Sequence, residues 1–280
     1  MMRKLWLAIF FVVFHLSPAL AESFLGRNVT ITDGRADRSV PAPLVVAMHG
    51  FLGTSRNMQR KTVLDALARQ HVIIVAYPNG EGRRWNDGRA PETTPDDVAY
   101  LTGLITALIA DNRADPRRVF LTGHSNGGGM AMRMACDRPD LIAGISVVAT
   151  KLPTAFQCPN GAPVPAIFFH GTEDPISPHA GRPAGSRLGA TLSAQATLET
   201  WSRRNRCNRA DVPRVVDSVD DGTVARIFQY RRCAAPLVYV LIDGHGHDWP
   251  GQGQRSTRLQ GPATREVDAA RLSWWFFSGL

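Results

Sequence analysis

The chain predicts an α/β fold with a mostly parallel central sheet and helices on both faces, built as a single domain. Three observations predict it. Short, continuously apolar runs recur at 44–48, 72–76, 119–122, 145–149, 166–169 and 237–242. Segments with helical periodicity lie between them, and the 280 residues can bury one large core. Runs that are apolar without alternation fit strands covered on both faces, which is the environment of a parallel sheet.

Taken from the start, Arg3 and Lys4 precede an apolar stretch, 5–16, that falls short of the ~20 residues a membrane-spanning helix needs. With Ala19-Leu20-Ala21 as a small-x-small cleavage pattern, residues 1–21 read as a signal peptide and 22–280 as the catalytic domain. The expected location is therefore extracellular or periplasmic, with no membrane insertion after cleavage. The strand 44–48 runs into His49-Gly50-Phe51-Leu52-Gly53. A helix over 97–110 carries Val98, Leu101, Leu104, Ile105, Leu108 and Ile109 on one stripe, with Asp96 or Asp97 as its N-cap. The strand 119–122 leads through Gly123-His124-Ser125-Asn126-Gly127 into a helix-like run at 130–136. The stretch 215–232, broken by Asp220-Asp221-Gly222-Thr223, reads as a hairpin. A last helix over 265–277 offers Val267, Leu272, Trp275 and Phe276 to the sheet.

The formal charge is +8, two units of which come from Arg3 and Lys4. Basic clusters at 203–206 and 231–232 lack interleaved aromatics, so they read as a solvated face and no nucleic-acid partner is expected. The four cysteines, Cys136, Cys158, Cys207 and Cys233, all follow the leader and suit two disulfides in an oxidising compartment. Of the three possible pairings, Cys136 with Cys158 and Cys207 with Cys233 is preferred, because each closes a local loop. No C-x-x-C spacing suggests zinc.

The chemistry concentrates at Gly123-His124-Ser125-Asn126-Gly127, a G-x-S-x-G motif set between a strand and a helix. A serine on such a tight turn presents its hydroxyl above the sheet edge. That hydroxyl needs a histidine base, and the base needs a carboxylate to hold its tautomer, in the chain order Ser, acid, His. The histidines after Ser125 are His170, His179, His245 and His247. His247 is favoured as base because Gly246 and Asp248-Trp249-Pro250-Gly251 make a rigid bend around it, with His245 as the alternative. Asp174 is favoured as acid over Glu173, both in the loop after the strand 166–169. The backbone amides of Asn126 and Phe51 are the candidate oxyanion donors, and His49 reads as structural. The Gly- and Pro-rich loop 178–189 is placed to shape an acyl pocket.

Together with Tyr77-Pro78-Asn79-Gly80, Trp85-Asn86, Asp96-Asp97-Val98, His170-Gly171-Thr172-Glu173-Asp174 and Gly244-His245-Gly246-His247-Asp248-Trp249-Pro250-Gly251, these motifs resemble the polyhydroxybutyrate depolymerase and feruloyl esterase group of carbohydrate esterases, in the α/β-hydrolase superfamily. The resemblance covers nearly all of 22–280. It implies a Ser125, Asp174, His247 triad, Trp85 near the substrate cleft, and neither metal nor organic cofactor. His124, His245 and Trp249 are further expected substrate contacts; His245 stands where the group commonly has glycine, which points to a contact with substrate or with His247.

The function expected is an exported serine carboxylic-ester hydrolase, acting through an acyl-enzyme on short-chain or aryl esters of the hydroxybutyrate, feruloyl or acetyl-polysaccharide kind. The substrate is the expected partner, a small molecule or a polymer ester, and the protein is expected to be a monomer. The absence of a separate substrate-binding module weighs against an insoluble polymer. Two other readings compete. A metal-dependent hydrolase using His245 and His247 conflicts with spacing, since Asp248 is adjacent to the second histidine where H-x-H-x-D-H sites place it two residues on. A non-catalytic binding protein of the same fold conflicts with the presence of all three triad candidates.

Overall fold

The computed structural model describes residues 20–89, 95–156, 158, 161–251 and 259–280. Its centre is an 11-stranded sheet. In chain order the strands are β1 (Leu20–Phe24), β2 (Arg27–Asp33), β3 (Ala42–Met48), β4 (Ile74–Pro78), β5 (Ala114–His124), β6 (Gly144–Val148), β7 (Ala166–Gly171), β8 (Arg209–Ala210), β9 (Arg214–Val216), β10 (Val224–Arg231) and β11 (Leu237–Asp243). Their order across the sheet is β1-β2-β4-β3-β5-β6-β7-β11-β10-β8, with β9 paired to β10. The six strands from β4 to β11 in that order are parallel, and the two edges are antiparallel.

Central β3 shows why its sequence lacks alternation. Leu44, Val46 and Met48 enter one apolar layer while Val45 and Ala47 enter the opposite one, and every residue of the strand is buried. The first layer is closed by α3 (Asp97–Ala110), α4 (Asn126–Asp137) and α5 (Ala194–Arg204), through Leu101, Leu104, Met130 and Trp201. The second is closed by α1 (Ser55–Lys61), α2 (Leu64–His71) and α6 (Ala269–Ser278), through Met58, Leu67, Trp274 and Phe277. The chain leaves β3 toward β4 on one side, then returns past it to β5 on the other. This reversal puts the ends of β3 and β5 side by side at the kind of switch point where such sheets build sites.

Helix α3 begins at Asp97, capped by Asp96, whose carboxylate accepts from the Ala99 amide at 2.9 Å. The hairpin pairs Val216 with Ala225 across the Asp-Gly turn. The disulfides join Cys136 to Cys158 and Cys207 to Cys233. Three local expectations are corrected. Val72 is not in a strand: it takes φ 56° as the left-handed C-cap of α2, and β4 starts two residues later. The last helix starts at Ala269, since Asp268 caps it, so Val267 is buried ahead of it. Within α6, Trp275 is 55% exposed and Trp274 takes the core position. The sequence reading also omits β1 and β2, although Val29 and Ile31 alternate with polar residues and are buried, the period-2 signature of a strand with one covered face. The proposed leader lies outside the described residues, apart from Leu20 and Ala21 in β1.

Trp201 is fully buried and meets Phe168 edge-on at 5.4 Å. Trp201→Ala is expected to destabilise the fold by about 3–5 kcal/mol. Trp275→Ala, on the exposed side of α6, is expected to change it by less than about 0.5 kcal/mol, and urea titration of both variants reads the difference.

Candidate active site

Ser125 sits between β5 and α4 with φ 53° and ψ −119°, a left-handed conformation that a side chain pays for in strain. What holds it there is close backbone approach on both sides. A Cβ on Gly123 would lie 2.2 Å from the Gly127 carbonyl carbon, and one on Gly127 would lie 2.3 Å from the Met48 carbonyl oxygen. Only glycine at these two positions lets β5 turn into α4 while β3 passes alongside. The Ser125 amide donates to the Val148 carbonyl at 2.8 Å, tying the turn to β6. Asn126 opens α4, so its N–H has no partner within the helix.

Across the cleft, His247 Nδ1 donates to Asp174 Oδ2 at 2.7 Å, and both side chains are buried. The other oxygen of Asp174 accepts from the amides of Ile176 at 3.0 Å and Ser177 at 2.6 Å, which fixes the carboxylate plane. With Nδ1 protonated, Nε2 of His247 carries the free lone pair. The His247 loop is pinned by its own backbone, because the Gly246 amide donates to Pro262 O at 2.7 Å and the His247 amide to Gln260 O at 2.5 Å. Glu173 is exposed and uses only its amide here, donating to His245 O at 2.9 Å. Ser125, His247, Phe51 and His124 line one cleft of about 630 Å³ at the ends of β3 and β5.

The expected substrate contacts divide. His124 lines the cleft, yet its Nε2 is engaged with the His247 carbonyl at 2.9 Å, so it positions the loop that carries His247. Burial holds its imidazole well below the ordinary histidine range and the nearby Lys61 cation adds to this, so it is neutral. Trp85 is buried and turned away from the cleft; its indole donates to His49 O at 3.0 Å, and its backbone exchanges two hydrogen bonds with the Asn126 amide side chain, at 2.7 and 2.9 Å. It braces the turn from behind, which corrects its expected place at substrate. Trp249 is likewise a core residue, 1% exposed. His245 is buried with Nε2 on Asp248 O at 3.1 Å, so its ring does not reach Asp174. Since His245 and His247 turn to different partners, they do not converge as ligands; among the described residues no group of three or more His, Cys, Asp or Glu is arranged for a metal ion. His49 is structural: Nε2 accepts from Gly80 N at 3.0 Å and Nδ1 donates to Gly50 O at 2.8 Å.

The sequence reading missed a buried lysine behind the acid. Lys151 is 1% exposed and its ammonium donates to Ser177 O at 2.7 Å, Pro178 O at 2.6 Å and His170 Nε2 at 3.0 Å. It thereby holds the chain just past Asp174. A lone lysine after strand β6 gives no periodic or motif signal; only the fold brings it to the acid loop. It also missed the cations in the cleft wall, Lys61, Arg83, Arg89 and Arg182.

A family model described as "Putative esterase" matches residues 27–225. The chain belongs to the esterase family. Its relatives include the "Putative esterase NocK" of Nocardia uniformis subsp. tsuyamanensis, 31% identical over 75% of this chain and 66% of that protein. A probable feruloyl esterase C of Aspergillus terreus is 30% identical over 94% of each chain. Of NocK, then, the match spans slightly less than two thirds. Two solved structures share the fold: an acetyl xylan esterase from Aspergillus awamori, with 16% identity, TM-score 0.58 and coverage of 89% of this chain and 93% of that one, and esterase 2 of Thermogutta terrifontis phosphorylated by paraoxon, with 12% identity, TM-score 0.58 and 95% of each chain covered. The chain is thus placed with the feruloyl esterases, and its fold is that of the α/β-hydrolases.

Burial lowers the Lys151 amine from its ordinary 10.5 to about 7, against the pull of Asp174. Between those two values the folded esterase binds fewer protons than the unfolded chain, so stability rises with pH across that window. From pH 7 to pH 9 the rise is expected to be about 2 kcal/mol. It should be absent in Lys151→Met, and melting temperatures of the two proteins at both pH values check this.

Proposed function

We propose that this protein is an exported serine carboxylic-ester hydrolase in which Ser125 is the nucleophile, His247 the base and Asp174 the acid that orients it. The observation that carries the reading is a serine on a left-handed strand-to-helix turn sharing one cleft with a histidine whose Nδ1 is held by a buried carboxylate at 2.7 Å.

The steps follow from that arrangement. Ser125 Oγ attacks the ester carbonyl carbon as His247 Nε2 takes its proton. The carbonyl oxygen becomes an oxyanion, which meets the N–H groups of Asn126 and Phe51; a donor of this kind contributes about 3–4 kcal/mol to the transition state. When the tetrahedral intermediate collapses, the C–O bond to the alcohol breaks and His247 returns the proton to the leaving oxygen. Water then attacks the acyl-serine, giving its proton to His247, and a second collapse releases the carboxylic acid and restores Ser125. Asp174 faces the imidazolium that forms twice in each turnover.

Short-chain or aryl esters fit a cleft of this size, whose mouth carries the exposed apolar side chains of Phe51, Leu52 and Leu188. Hydroxybutyrate-type, feruloyl and acetyl-polysaccharide esters fall within that class. Export is supported by the apolar N-terminal stretch of the sequence and by the two disulfides, which persist in oxidising compartments.

Purified protein is expected to hydrolyse p-nitrophenyl acetate and butyrate. Ser125→Ala and His247→Gln should each lower kcat by about 10⁴-fold or more, and Asp174→Asn by about 10³–10⁴-fold. Full activity in Ser125→Ala would remove the assignment of the nucleophile. His245→Gln is the discriminating variant between the two loop histidines: a loss of less than about tenfold leaves His247 as the base, whereas a loss as deep as that of His247→Gln transfers the role.

A further inference from the structure

The cleft that holds Ser125 is lined by four cationic side chains, Lys61, Arg83, Arg89 and Arg182, and by no aspartate or glutamate among its described lining residues. Two of the cations have carboxylate partners. Lys61 Nζ lies 2.5 Å from Asp248 Oδ1, and Arg89 is clamped on buried Asp87. Among the described residues, the side chains of the other two hydrogen-bond to backbone carbonyls alone. Arg83 reaches Leu52 O and Gly53 O, and Arg182 donates to Gly189 O at 2.8 Å, Leu188 O at 3.0 Å and Ile176 O at 3.2 Å. Carbonyl partners fix a guanidinium in place without a carboxylate bonded to it.

These two guanidiniums come from two different parts of the site. Arg83 lies on the segment after β4 whose carbonyl accepts the Leu52 amide at 2.8 Å, so it is tied to the loop that carries Phe51. Arg182 is tied through Ile176 to the loop that carries Asp174. Arg182 is also partly buried, and that burial together with Arg89 lowers its guanidinium from the ordinary value, against the pull of Asp87 and Asp174. A planar fork held at a cleft wall suits a carboxylate better than it suits a neutral chain.

We propose that the preferred substrates are esters that carry a carboxylate elsewhere in the molecule, such as half-esters of dicarboxylic acids, with Arg83 and Arg182 receiving that carboxylate. The inference rests on the serine esterase reading of the same cleft. Ester cleavage itself is unchanged: water adds across the C–O bond, and the second carboxylate serves only to bind and orient.

The test compares mono-p-nitrophenyl glutarate with its neutral methyl ester, methyl p-nitrophenyl glutarate, after subtraction of spontaneous hydrolysis. At low ionic strength, kcat/KM for the anionic ester is expected to exceed that for the neutral one by at least about tenfold, the equivalent of one charge-assisted hydrogen bond. That ratio should fall toward one in Arg83→Gln, be largely retained in Arg182→Lys, which keeps the charge should the loop need it, and shrink in 0.5 M salt by roughly the screening of an open pair. A ratio of one or below in the wild type overturns the proposal, and a high ratio that neither Arg83→Gln nor Arg182→Met moves overturns the residues named. Calorimetric binding of the two esters to the Ser125→Ala variant separates this from the enzyme assignment. If neither ester is turned over by the wild type, the esterase reading fails, and tighter binding of the anionic ester still supports the anion site; equal binding removes it as well.

Discussion

The site depends on one backbone constraint, the approach of β3, β5 and the start of α4 to within van der Waals contact around Ser125. With Cβ positions on Gly123 and Gly127 both closer than 2.5 Å to neighbouring backbone atoms, the turn exists only with glycine there. The serine then takes a left-handed conformation that few side chains adopt willingly, and the surrounding sheet supplies the stability that this strain consumes. Because β3 is buried on both faces, its end cannot drift, so the loop at Gly50 and Phe51 stays beside the serine. A Cβ on Gly50 would already be 3.4 Å from the Ser125 Cβ and 3.1 Å from His124 Nδ1.

The second half of the site is assembled by loops from β7 and β11, which are adjacent and parallel, so that Asp174 and His247 emerge at the same end of the sheet. Here too backbone contact sets the geometry. A Cβ on Gly171 would lie 2.1 Å from His245 O, and one on Gly246 would lie 2.0 Å from Gln260 O. The glycine that separates His245 from His247 is therefore required by the loop behind it, and the two histidines diverge as a consequence: one ring turns inward to Asp248 O, the other toward Asp174.

How much of this was legible depended on whether the signal was local. The six parallel strands announced themselves as apolar runs because burial on both faces removes alternation, and the G-x-S-x-G turn announced itself as a five-residue motif between a strand and a helix, although the contact that demands Gly127 is made with Met48 on β3. Strands β1 and β2, at the antiparallel margin of the sheet, were missed, since one covered face gives only Val29 and Ile31 as a cue. Trp85 and Trp249 were misplaced for a physical reason: an indole beside a motif is equally suited to lining a cleft and to bracing a loop, and only the partner of its N–H and its burial decide between them. Lys151 and Arg182 were out of reach because their roles are made by loops that meet only after the sheet has formed.

The electrostatics of the site turn on how few charges compete for Asp174. Basic groups crowd the region, with His124, His170, His245, Lys151 and Arg182 all buried or partly buried. Burial drives the imidazoles of His124 and His170 well below the ordinary range, lowers that of His245 and brings the Lys151 amine down to about 7. Each of these groups sits where a full positive charge would be poorly solvated; His124, His245 and Lys151 are each held by a carbonyl oxygen, and His170 accepts from Lys151. The carboxylate is thus left to face the one histidine that donates to it directly. A low-dielectric surrounding strengthens that single interaction, and the same desolvation keeps the neighbouring histidines from diluting it. Burial around the acid loop therefore isolates the pair of Asp174 and His247 from the basic groups around it.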